Sequence, residues 1–181
     1  MFLGAESLIG MAAGVVFSLL LAIACVSDLR SRRIPNALVL ATLAAGVGFS
    51  IALDPALPGL GRSVAGAATG LVIWLPFWML RKIGAGDVKL FAAAGAWLGP
   101  ADAVTAALAA AVLGAVLTLA WLVWEQGVGR TARGLALGAA SAQSGVRVPG
   151  LLVVPSRKRV PYGIALAAGA ALVAWLPGLA R

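Results

Sequence analysis

The chain has 181 residues, 62% of them hydrophobic and only 11% charged, with a formal net charge of +8 and a mean hydropathy of +1.03. So little charge cannot cover the surface of a soluble domain, and the composition predicts an all-α, polytopic membrane protein forming a single transmembrane domain over residues 1–181. The lone cysteine, Cys25, lies in an apolar run and there is no histidine; this argues against a disulfide framework, a Cys-based metal site, haem and histidine-relay chemistry, so no metal and no cofactor are expected.

Taken in order, six apolar runs approach the roughly 20 residues that a span requires. They cover about 7–27, 36–53, 63–80, 88–99, 102–124 and 161–179. No Lys or Arg precedes the first run, so it reads as a span and not as a secretory signal peptide. The fourth run is short and closes on Gly99-Pro100; it reads as a helix that starts deep, tilts, or is buried among its neighbours. Pro35-Asn36 is expected to start the second helix, with Asn36 offering cap chemistry. Pro76 is placed to kink the third. The tryptophans Trp74, Trp78, Trp97, Trp121, Trp124 and Trp175 mostly fall near span ends, which predicts an interfacial belt.

The basic residues follow these runs. Arg30, Arg32 and Arg33 follow the first, Arg81, Lys82 and Lys89 flank the start of the fourth, and Arg130, Arg133, Arg147, Arg157, Lys158 and Arg159 follow the fifth. Those twelve fall on one side and only Arg62 and Arg181 on the other. Such segregation predicts six spans with both termini outside the cytoplasm and three basic loops inside. It also accounts for the positive charge without nucleic acid. Residues 126–160 are expected as a cytoplasmic loop, within which 130–143 reads either as flexible chain or as a weak helix on the membrane surface.

Of the six carboxylates, Glu6, Asp54, Asp102 and Glu125 sit at span ends or in outer loops, where a charge stays hydrated. Asp28 and Asp87 differ. Asp28 closes the first span and Asp87 opens the fourth, and an ionisable group at membrane depth costs about 2.5–3.5 kcal/mol on insertion scales. The predicted topology brings both to the cytoplasmic face, although 59 positions separate them. Two carboxylates at one depth fit aspartic hydrolysis, one acting as base and one holding a proton. The helix ends favour an ionised Asp87 and a protonated Asp28, as one microstate of a coupled pair. A structural reading stands beside this one: Asp28 neutralising Arg30, Arg32 and Arg33, and Asp87 capping its helix next to Lys89. A small transporter or channel using Asp28 and Asp87 as a proton or cation site is the functional alternative, and a non-catalytic assembly subunit is a third. Lys89, two residues beyond Asp87, is expected on another helix face.

Three motifs carry a family resemblance. Gly84-Ala85-Gly86-Asp87, followed by Val88-Lys89-Leu90, resembles the GxGD signature of polytopic aspartic proteases and is similar to the motif of type IV prepilin peptidases. Asp28-Leu29-Arg30-Ser31-Arg32-Arg33-Ile34-Pro35-Asn36 resembles the first-aspartate motif of that family, and Val160-Pro161-Tyr162-Gly163-Ile164-Ala165 its Pro-aromatic-Gly element. The resemblance implies a multi-pass aspartic endopeptidase of a bacterial or archaeal cytoplasmic membrane, removing the short basic leader of pilin or pseudopilin precursors. It implies Asp28 and Asp87 as catalytic residues, with Gly84, Gly86, Lys89, Arg30, Pro35, Asn36, Pro161 and Gly163 shaping the site. Longer members carry a cytoplasmic domain with paired cysteines and methylate the new N-terminus. This sequence has neither the insertion nor the Cys pair, so it looks like the compact, peptidase-only branch of tight-adherence pilus systems.

Overall fold

The computed structural model describes residues 8–31, 33–54, 57–144 and 162–176. All regular structure among them is helical: α1 Leu8–Ser31, α2 Asn36–Leu53, α3 Leu57–Met79, α4 Ala85–Leu98, α5 Pro100–Gln126, α6 Val128–Ser144 and α7 Tyr162–Trp175. Six of these helices fall on the six apolar runs. Of them, α1, α2, α3 and α5 are long and apolar enough to cross a membrane. The 14 residues of α4 and of α7 reach only about 21 Å at 1.5 Å per residue, short of a hydrocarbon core of about 30 Å. The chain is thus an all-α, polytopic membrane protein, in which, among the described residues, four helices are long and apolar enough to span and two shorter helices lie on the remaining apolar runs.

The chain divides into two compact units, and the first holds residues up to Gly114 together with those from Pro161 onward. At its centre is α4, which packs against α2, α3 and α7, while α1 packs against α2 and α7. From Val88 to Leu98 only Lys89 and Ala92 of α4 escape burial. A helix apolar on every side belongs in an interior, and its neighbours spare it contact with lipid. Small residues make the close approach possible. Gly66 and Gly70 form one stripe on α3; a Cβ at Gly66 would strike the Gly95 carbonyl, one at Gly95 the Gly66 carbonyl, and one at Gly70 would lie 2.8 Å from the Phe91 carbonyl oxygen. Without a hydrophobic drive between helices in lipid, such backbone-to-backbone packing is what holds α3 to α4.

Burial of α4 also corrects the expectation for the tryptophans. Trp97 is 2% exposed and Trp74 5%, so both belong to the core and not to an interfacial belt. Trp97 fits because Gly46 of α2 has no side chain: a Cβ there would lie 2.7 Å from the indole Cδ1. The Trp97 indole N–H donates to the Thr42 carbonyl at 2.8 Å, and the ring packs against Phe17 and Phe49. Being near a helix end in sequence does not put a residue near lipid when the helix itself is short and enclosed. By contrast, Trp124 is 92% exposed.

Pro76 lies inside α3, which runs on to Met79. The helix then closes by a Schellman-type arrangement, in which Lys82 N–H donates to the Phe77 carbonyl at 2.9 Å and Arg81 N–H to the Trp78 carbonyl at 2.8 Å. Arg81 takes the left-handed position at φ 56°, where glycine is more usual. This turn delivers the chain to the start of α4.

The second unit, residues 115–160, holds the C-terminal part of α5 and α6. Gly127, at φ +80°, separates the two helices, and the Thr131 hydroxyl donates back to its carbonyl at 3.1 Å. Within residues 126–160, expected as a cytoplasmic loop in which 130–143 reads either as flexible chain or as a weak helix, Val128–Ser144 forms a helix; the alanines, leucines and arginines of this stretch outweigh its glycines in helix propensity. Residues 145–160 lie outside the described residues.

Candidate active site

The site begins at the end of α1. Asp28 occupies its last turn, and the helix continues three residues beyond it to Ser31. The Ser27 hydroxyl donates to the Arg33 carbonyl at 2.9 Å and that of Ser31 to the same carbonyl at 3.1 Å. These bonds fold the connecting strand of chain back on the helix. Pro35, extended at φ −61° and ψ 135°, stands at the N-cap of α2, and its carbonyl accepts from Leu38 and Val39 N–H at 3.0 and 3.2 Å. Asn36 is therefore the first helical residue and supplies no cap. Its side chain is engaged elsewhere, accepting from Lys89 Nζ at 3.3 Å.

Gly84 caps α4 by its backbone, which puts Asp87 in the third helical position. One carboxylate oxygen, Oδ2, accepts from the Gly84 N–H at 3.2 Å. A carboxylate in the first turn also lies in the favourable field of the helix N-terminus. Gly86 packs on Ile34, whose side chain a Cβ at 86 would meet at 3.4 Å. Ile34 against Gly86 and Asn36 against Lys89 thus pin the α1–α2 connection to the start of α4. The sequence carried no signal for these cross-links beyond the motifs in which the four residues stand.

The two aspartates meet at α7. A Cβ built on Gly163 would lie 2.9 Å from Oδ2 of Asp28 and 3.2 Å from Oδ1 of Asp87. Both oxygens surround one point, so they are no more than about 6 Å apart, near enough for the two carboxyl groups to serve one reacting centre. Both carboxylates are half-buried and Gly163 is fully buried. No side chain fits at 163 without displacing the pair. α7 reaches this point because Gly169 lets it lie directly on α5, a Cβ there falling 2.6 Å from the Ala110 nitrogen.

Of the other residues singled out from the sequence, Arg30 is exposed in the last turn of α1, and Pro161 lies outside the described residues. Lys89 faces α2, away from Asp87. Asp54 is exposed after α2 and Asp102 is half-buried in the first turn of α5. The arrangement therefore gathers two carboxylates around one glycine, which is the inventory for acid–base hydrolysis without a covalent intermediate.

Comparison with known proteins gives the same neighbourhood a name. Residues 15–119 match the model of the type IV leader peptidase family. The chain is similar to the prepilin leader peptidase/N-methyltransferase of Dickeya chrysanthemi, 37% identical over 112 residues that cover 58% of this chain and 38% of that protein. The protein of the same name from Pectobacterium carotovorum subsp. carotovorum is 36% identical over 114 residues, covering 59% and 40%. That from Klebsiella pneumoniae is 37% identical over 92 residues, covering 47% and 39%. The chain spans about two fifths of the length of these curated relatives. No solved structure matches. The family match contains Asp28 and Asp87 but ends before α7, so Gly163 is placed at the site by its sequence motif and by the geometry.

Proposed function

Because the chain belongs to the type IV leader peptidase family, we propose that it is a membrane-embedded aspartic endopeptidase that removes the basic leader from type IV pilin or pseudopilin precursors. The observation that carries this reading is the meeting of Asp28 and Asp87 around Gly163. In the reaction, the ionised carboxylate takes a proton from a water, whose oxygen attacks the scissile carbonyl carbon. The protonated carboxyl gives its proton to the carbonyl oxygen. Collapse of the resulting gem-diol breaks the C–N bond; the proton first taken from water passes to the leaving amine, and a gem-diol hydroxyl returns its proton to the carboxyl that gave one up. Asp87, at a helix N-terminus and bonded to the Gly84 N–H, is assigned the base; Asp28, at a helix C-terminus, is assigned the proton.

The finer topology belongs to the same proposal. Six spans with both termini outside put the basic turns, and with them the dyad, at the cytoplasmic face of a bacterial inner membrane. There a leader that stays in the cytoplasm while its apolar helix enters the bilayer would be presented to the carboxylates. Gly84, Gly86 and Gly163 shape the site, and Asn36, Lys89 and Pro35 hold its two halves in register. The proposal covers leader cleavage only; no residue described above supports the methylation named in the relatives.

Co-expression with a candidate pilin, scored by N-terminal mass, tests this. Wild type should release the leader, and Asp28→Asn and Asp87→Asn at normal membrane levels should each slow release by about 10²–10⁴, the usual worth of a positioned acid or base. Leader removal at an undiminished rate in either variant contradicts the assignment.

A further inference from the structure

A groove of about 690 Å³ runs between α2, α3 and α4, with Leu40, Leu43 and Val47 along one wall, Ala68 on another, and Asn36 and Lys89 at one end. It lies on the side of α4 away from the dyad. Two residues separate Lys89 from Asp87, a turn of about 200° around the helix; Asp87 faces α1 and α7, while Lys89 faces α2.

The dimensions of the groove decide what it can hold. Its wall on α2 extends from Asn36 to Val47, about 16 Å at 1.5 Å per residue, which is half the hydrocarbon thickness of about 30 Å. A helix that crosses the whole bilayer is about twice as long as this groove, whereas the acyl chains of one leaflet match its length.

The polar end identifies the head. Asn36 is the first residue of α2 and Lys89 the fifth of α4, so both stand at the end of the bundle that carries the basic turns. Lys89 Nζ donates one hydrogen bond to Asn36 Oδ1 at 3.3 Å; an ammonium has three donors, and the Asn36 amide has two of its own, so the pair can also grip an anion. Arg30, Arg33, Arg81 and Lys82, all exposed in the neighbouring turns, add a field that favours a head of net negative charge over a zwitterionic one.

We propose that this groove binds one anionic phospholipid of the membrane, its phosphate on Lys89 and Asn36 and its acyl chains along α2 and α3. The groove shares no atom with the dyad, but Lys89 and Asn36 also hold the two halves of the catalytic site in register, so the test reads lipid binding and not cleavage. Native mass spectrometry of the purified full chain, with phosphatidylglycerol or phosphatidylcholine added to the micelles, tests it by binding alone. Wild type should retain one phosphatidylglycerol after phosphatidylcholine is lost. Lys89→Gln should lower the preference about fivefold, the worth of one basic residue at the surface. Ala68→Phe fills the groove from an exposed helix position and should weaken both lipids with the helix content unchanged by circular dichroism. Equal retention of both lipids by wild type and both variants overturns the proposal. So does a photoreactive side chain at position 68 that crosslinks to a second copy or to another polypeptide and not to lipid. A chain that selects phosphatidylglycerol yet cleaves no leader leaves the site standing and removes only the proposed function.

Discussion

Among single residues, the glycines rank themselves by what a methyl group would meet. At Gly163 it would stand 2.9 Å from an Asp28 oxygen, at Gly84 3.1 Å from an Asp87 oxygen, and at Gly86 3.4 Å from Ile34, an ordinary contact. Leader-removal rates should therefore fall most in Gly163→Ala, less in Gly84→Ala and least in Gly86→Ala. A pulse-chase comparison of the three would test this, and an equal loss at all of them would mean that backbone freedom matters and not space beside the carboxylates. The two aspartates were legible in the sequence because a carboxylate in an apolar setting is costly, and Gly163 because it stands in a motif. Their meeting at one point was not legible, since it depends on α7 returning from more than 70 residues away in sequence. Asn36 shows the same limit. Its position before a helix reads as a cap, but Pro35 takes that place and the amide is used by Lys89, 53 residues on.

At the level of elements, α4 governs the outcome. Its short length was visible in the sequence, and so was the Gly99-Pro100 stop. That it is enclosed on nearly all sides was not, because an apolar run looks the same whether lipid or protein surrounds it. The expectation for Trp97 and Trp74 went astray for that reason. The α3–α4 contact is built on Gly66 and Gly95, each closing against the carbonyl of the other, so a side chain at either must push the helices apart. Gly95→Val is expected to cost about 1–3 kcal/mol, the range for overpacking. It should also reduce leader removal by moving Asp87 away from Gly163, which thermal unfolding in detergent together with a cleavage assay would detect. A destabilised variant with full cleavage would show that α3 does not hold α4 in place.

For the whole molecule, the apolar runs and the segregation of twelve basic residues from two made a polytopic all-α protein legible. The helix over Val128–Ser144 was less so, because a Gly- and Ala-rich amphipathic stretch reads as loop and helix about equally well. Six-span topology with the dyad facing the cytoplasm predicts that a cysteine at Lys82 is labelled by an impermeant thiol reagent only in inverted vesicles, and one at Arg62 only in intact cells. The opposite pattern would turn the molecule over and put the dyad on the wrong side for a cytoplasmic leader. The central claim is that Asp28 and Asp87 act on one water as a unit, and the cleavage rate of the double variant measures that most directly. If they do, Asp28→Asn with Asp87→Asn together should be no slower than the worse of the two single variants, as groups acting as a unit are strongly non-additive. Losses that multiply in the double variant would mean two independent roles, and the shared-water dyad would be wrong.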